Sequence, residues 1–214
     1  MKRFFATAAA TLMAAPAFAH HPLGGMPMET FGQGVLSGIG HPVLGFDHLF
    51  FVALVGIAAL YTGRALIAPL YYVAAMLIGC VLGMAGAGLP IAEVAIVASL
   101  LVLGVLVARG QALTATTAAL VFGGFGLFHG TAFAGSILGQ EGGASLAVMV
   151  GYMIGLGAVQ YLLALVAGRA IKGFADASVA SAMAPRLAGA TVAGVGLFLA
   201  LETVEGAAFA ALGL

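Results

Sequence analysis

Six apolar runs, at approximately 42–62, 66–88, 90–108, 112–138, 144–168 and 187–208, take up most of this 214-residue chain. Each is long enough for the roughly 20 residues that a helix needs to cross a bilayer. Of all residues, 63% are hydrophobic and 7% charged, against roughly 45–50% and 25% in soluble domains. So few charges cannot cover a water-facing surface. The fold class that follows is an all-α membrane protein, with six transmembrane helices after a cleaved signal peptide.

The signal peptide is residues 1–19. Lys2 and Arg3 form its positive start, Phe4 to Phe18 its apolar stretch, and Ala17-Phe18-Ala19 an A-x-A cleavage site. Cleavage there makes residues 20–214 the transmembrane domain, with His20 at a periplasmic N-terminus. The loops after the first, third and fifth spans then face the cytoplasm. They hold Arg64, Arg109, Arg169, Lys172 and Arg186, every basic residue of the mature chain. That bias agrees with the positive-inside rule and puts the C-terminus in the periplasm as well. A multi-pass protein of the bacterial inner membrane is expected.

Net charge is zero, so nothing favours nucleic acid as a partner. Cys80 is the single cysteine; it has no disulfide partner within the chain and reads as a small buried hydrophobe. Gly79/Gly83, Gly126/Gly130, Gly135/Gly139 and Gly151/Gly155 have the G-x-x-x-G spacing that lets helices approach closely in lipid. Two halves of three spans would have opposite topology. His48 follows Gly45 by three residues as His129 follows Gly126, which suggests a 3+3 inverted repeat with a site at its interface.

Ionisable groups inside a bilayer are costly and point to function. Asp47 and His48 open the first run, offering a hard oxygen and an imidazole nitrogen, ligand types that suit nickel, cobalt or zinc. A rise of about 1.5 Å per residue puts His48 about 9 Å below the periplasmic surface. By the same measure His129 lies about 25 Å, and Glu202 about 22 Å, from the cytoplasmic side of a core about 30 Å thick. Nitrogen and carboxylate ligands from separate spans thus fall at one level, with Glu93 near the outer end of the third span. Bland readings stand beside these: His129 bonded to a carbonyl, Glu202 and Glu205 solvated at the interface, and Asp47–His48 a structural pair.

His41 precedes His48 by seven residues. On a straight helix the two share a face but lie about 10 Å apart along the axis. Only a break in the helix would bring His41 over the same ion; otherwise it is an outer capture ligand. His41-Pro42 is read as the boundary where the first span starts. The mature N-terminus, His20 and His21 with Met26 and Met28 close behind, is a second chelate, or else a flexible tail. Its thioethers would suit copper(I).

His41-Pro42 followed by Gly45, Asp47 and His48 resembles the H-P-x-x-G-x-D-H signature of the HupE/UreJ family. Phe128-His129-Gly130 resembles that family's second histidine motif. The signal peptide and six spans fit it too, so the resemblance covers essentially the whole chain. It implies a secondary permease importing nickel or cobalt, often beside hydrogenase, urease or cobalamin genes. It carries over His41, Asp47, His48 and His129 as candidate metal ligands. Glu202 and His20 do not carry over by motif; they rest on depth and on chelate chemistry. Phe50-Phe51-Val52 departs from the methionine that members often carry after the first motif.

The leading function is therefore a transporter moving a divalent metal ion, nickel or cobalt, inward, with copper and zinc compatible with the ligands. No phosphate-binding loop is present, so this chain does not hydrolyse ATP. An accessory subunit delivering metal to a neighbouring membrane complex is the alternative, because only Gln160 and Tyr161 supply polarity in the inner half of the fifth span. An intramembrane metallohydrolase lacks an H-E-x-x-H motif; no enzyme is expected. Expected partners are membrane lipid, the metal ion, and a second copy of the chain or a neighbouring complex.

Overall fold

The computed structural model describes residues 27–139, 144–174 and 177–212. The signal peptide, its cleavage site, His20 and His21 lie outside the described residues. Among the described residues the chain is all helical: α1 Phe31–Leu44, α2 Phe46–Ala59, α3 Ala68–Met84, α4 Ala92–Ala108, α5 Ala115–Leu138, α6 Leu146–Phe174 and α7 Met183–Leu212.

Among the described residues three helices, α5, α6 and α7, are long and apolar enough to cross a membrane alone. Helices α1 and α2 pass that test together, as one span broken by an 84° bend. Helices α3 and α4 are apolar but have 17 residues each, the lower end of the spanning range of about 17–25.

The first span differs from expectation. A continuous helix over 42–62 is replaced by a joint at Gly45, and Pro42 sits inside the last turn of α1 rather than opening a helix. Helix α1 also begins at Phe31, ahead of the apolar run. Its sequence carries Gly32, Gly34, Gly38 and Gly40, and glycine disfavours a helix by about 1 kcal/mol per residue. Close backbone packing outweighs that propensity. A Cβ on Gly34 would lie 2.3 Å from the Val148 carbonyl oxygen, and one on Gly38 2.2 Å from that of Tyr152. Gly151 and Gly155 of α6 return the contact against Phe31 and Val35. Thr30 and Gln33 close the start of α1 with a capping box.

Glycine seams of this kind hold the remaining pairs. Gly79 meets Leu127 and Gly130 meets Met76, so α3 lies backbone to backbone on α5. Gly56 meets Ala164 between α2 and α6, and Gly104 meets Ala193 between α4 and α7. Gly135, by contrast, has nothing among the described residues within 4 Å of its Cβ position. In lipid such contacts replace the hydrophobic drive as the source of association.

The turns after α2, α4 and α6 meet at one end of the bundle. Tyr61 Oη donates to the Ala177 carbonyl, Tyr161 Oη to that of Leu66, and Arg186 Nε to that of Ala108. Arg64, Arg109, Arg169, Lys172 and Arg186 all belong to this basic end. Cys80 is fully buried. At the joint between α1 and α2, Gly45 and His48 are buried on the side facing α5, while Val43, Leu44 and Phe46 are exposed.

Candidate functional site

Gly45 serves as the C-cap of α1 and the N-cap of α2 at φ −84°, ψ 100°. Its N–H donates to the His41 carbonyl at 3.0 Å, and its own carbonyl accepts from Leu49 N at 2.9 Å. The bend therefore leaves both helices bonded across the joint. The first N–H groups of α2 still need acceptors. Asp47 supplies one, its Oδ1 taking the His48 N–H at 2.8 Å. A carboxylate in a first turn is also favoured by the helix dipole. A Cβ on Gly45 would come within 2.9 Å of His48 Cδ2, so the position has little room for a side chain.

The bend brings the two halves of the motif together. His41 and His48 have ring centroids 6.1 Å apart, with Phe133 against both at 5.3 and 4.3 Å. From α5, His129 places its Nδ1 2.8 Å from the Nδ1 of His48. His129 is fully buried, stacked on Phe51 at 4.6 Å and set edge-on to Tyr72 at 5.8 Å.

Ser99 of α4 settles which nitrogen of His129 carries the proton. Its hydroxyl is 2.6 Å from the Ile96 carbonyl and 3.0 Å from His129 Nε2. A carbonyl only accepts, so the single hydroxyl proton goes to Ile96. Ser99 Oγ must then accept from His129 Nε2–H. In neutral His129 that leaves a lone pair on Nδ1, facing His48. His48 supplies the Nδ1 proton shared between them.

Two such nitrogens form a pair that a metal ion could replace the proton in. The 2.8 Å between them is the length of that hydrogen bond, so an ion with bonds of about 2.0–2.1 Å would need only a small adjustment of the rings to sit between them.

The chain matches the HupE / UreJ protein family over residues 8–199. It is also 32% identical to Protein HupE of Rhizobium leguminosarum bv. viciae over 197 residues, covering 88% of this chain and all of the relative. This chain belongs to the HupE/UreJ family. No solved structure matches it. HupE/UreJ proteins form a transporter-type family rather than an enzyme family.

In this HupE/UreJ chain the expected ligands fall into three groups. His48 and His129 meet, with His41 beside them and half-buried Asp47 at the start of the same helix. His20 lies outside the described residues. Glu202 does not join the pair: it is exposed on α7, as are Glu205 and, on α4, Glu93. Helix α7 packs on α4 through Gly189, Val192 and Gly196. Beyond that seam every described residue from Leu201 to Leu212 is exposed, so this end of α7 leaves its packing partner and Glu202 with it. Depth along a helix does not say where its neighbours end. Among the described residues no three His, Cys, Asp or Glu side chains gather at metal-binding distance.

Three contributors carry no sequence motif. Ser99 orients His129, Phe51 stacks on it, and Tyr72 of α3 borders it and donates to Gln160 Oε1 of α6. The one signal available beforehand was that a serine deep in an apolar run must find a hydrogen-bond partner.

Proposed function

We propose that this protein is a secondary permease carrying a divalent transition metal ion, nickel or cobalt, across the bacterial inner membrane toward the cytoplasm. The observation that carries the reading is the buried Nδ1-to-Nδ1 contact of His48 and His129 at a broken helix. Discontinuous spans whose half-helix ends face a midplane site recur among transporters. The basic end would be cytoplasmic by the positive-inside rule. His48 and His129, with His41 and Asp47 completing the ligand set by rotamer change, would hold the ion, and binding would release the shared proton. Imidazole nitrogen and carboxylate oxygen are ligand types that suit nickel(II) and cobalt(II). An inverted repeat is supported by the equivalent atoms through which α2 and α5 meet, and by the glycine seams that join α2 to α6 and α3 to α5.

Purified protein in proteoliposomes with an entrapped metal-sensing dye tests this reading. Nickel(II) or cobalt(II) influx that depends on the protein is expected. Binding without influx would instead favour the metal-delivery subunit. Neither binding nor influx would remove both.

Ser99→Ala is expected to weaken nickel binding by about 10–100-fold, the usual effect of losing an outer partner of a metal-bound histidine. Ser99→Thr, which keeps the hydroxyl, should retain most of it. Nitrogen chemical shifts of His129 should report Nε2–H in the wild type and a mixture of tautomers in Ser99→Ala. Unchanged shifts would show that Ser99 does not set the proton's place.

A further inference from the structure

Sequence alone leaves the half of the bundle between the histidines and the basic end poor in polar groups. The structure places one there. Tyr72 and Gln160 are both fully buried, with Tyr72 Oη donating to Gln160 Oε1. Among the described residues Gln160 Nε2 has no hydrogen-bond partner.

Their position follows from the helix seams. Gly126 sits against the Tyr72 carbonyl and Gly130 against that of Met76, so Tyr72 lies one turn from His129 toward the basic end. On α6, Tyr152 bonds the Phe133 carbonyl beside the histidines, and Ala164 meets Gly56 nearer the basic end. Gln160 falls between them. The Tyr72 ring touches the His129 ring edge-on at 5.8 Å, so the polar pair adjoins the histidine pair directly.

A buried amide NH2 without an acceptor costs about 1–3 kcal/mol. Turning the Gln160 amide over keeps its bond to Tyr72, because a phenol oxygen can accept from Nε2 as well as donate to Oε1. The turn frees the amide oxygen as an acceptor and takes from the Tyr72 O–H the acceptor it had, a cost that an ion on the oxygen would have to offset. Neutral oxygen ligands hold a divalent ion loosely, as a station that must release its ion requires.

We propose that Tyr72 and Gln160 form a second, oxygen-ligand station for the divalent cation, one step beyond the histidine pair toward the basic end. This rests on the transport reading above. An ion leaving His48 and His129 would next meet Gln160 Oε1, with Gln160 Nε2 then donating to Tyr72 Oη.

The test uses the full chain, nickel(II), and two readouts: equilibrium binding in detergent and influx into proteoliposomes. Gln160→Leu is expected to leave nickel affinity at the histidine pair within a few-fold. Influx should fall by about 10-fold or more, the equivalent of one lost interaction of about 1.4 kcal/mol. Tyr72→Phe, which removes only the hydroxyl, should slow influx in the same direction. Gln160→Glu puts a carboxylate at the station and should add a second bound nickel per chain, a gain that a merely structural residue would not produce. Wild-type influx in Gln160→Leu would overturn the station, as would joint loss of binding and thermal stability in both Gln160→Leu and Tyr72→Phe. So would a single bound nickel in folded Gln160→Glu. The binding readout needs no flux, so wild-type protein that binds nickel without importing it would sink the transport reading and leave the station to be decided by the Gln160→Glu stoichiometry.

Discussion

Nickel influx is expected to fall to background in both His48→Ala and His129→Ala, while Glu202→Ala transports as the wild type does. Each histidine would supply one of the two nitrogens that face each other at 2.8 Å. Removing an outer partner of a metal ligand costs about 10–100-fold in affinity, and removing the ligand itself should cost more. Each truncation also leaves a buried imidazole nitrogen without its partner, which costs about 1–3 kcal/mol of stability. Thermal unfolding in detergent separates that loss from the loss of function. Each truncation also opens a cavity at a buried site, so both variants should melt earlier yet still unfold cooperatively, while binding measured by titration calorimetry disappears in both. Glu202 is exposed on α7, so its removal touches neither the pair nor the core. Normal influx in the double variant His48→Ala/His129→Ala would end the shared-site reading. Loss of influx in Glu202→Ala would return a second carboxylate to the site and require α7 to turn.

The other large effect is on folding. Gly79→Ala and Gly130→Ala should each destabilise the bundle by about 3 kcal/mol or more, at the upper end of overpacking costs. A Cβ at Gly79 would lie 2.1 Å from the Leu127 carbonyl oxygen, and one at Gly130 2.0 Å from that of Met76. The obstructing atoms are backbone on a packed helix, not the ends of flexible side chains, so α3 and α5 must separate to admit a methyl group. Gly124→Ala is the control. Among the described residues nothing lies within 4 Å of its Cβ position, so the gain in helix propensity of about 1 kcal/mol should leave that variant as stable as the wild type or more so. Denaturation midpoints in one detergent rank the three variants. Equal midpoints would show that the seam between α3 and α5 is not what holds the bundle together.

How much of the site could be read beforehand depended on the kind of signal each residue carries. His48 and His129 stand out because ionisable groups in apolar runs are costly, and estimated depth put both on one level. Their contact also needed the rotation of α5, which glycine spacing only hints at. His41 illustrates the limit from the other side. Seven residues from His48, it shares a helix face at a distance on any straight helix, and the 84° bend at Gly45 brings the rings to 6.1 Å. Ser99 and Tyr72 carried no pattern at all. A hydroxyl in an apolar run is common, and only the neighbouring helix gives it a role.

Composition and the spacing of charges determined that this chain is a helical membrane protein, that its basic loops gather at one end, and which histidines are costly enough to need a purpose. These are one-dimensional properties, set by transfer energies and helix length. Tertiary structure alone decided that α1 is a helix despite four glycines, that the first span breaks at Gly45, and that Glu202 faces outward while Gln160 faces in. Those outcomes depend on which helix faces meet. In lipid the meeting is governed by sub-ångström fit between backbones, for which sequence spacing supplies candidates but no rotation angle.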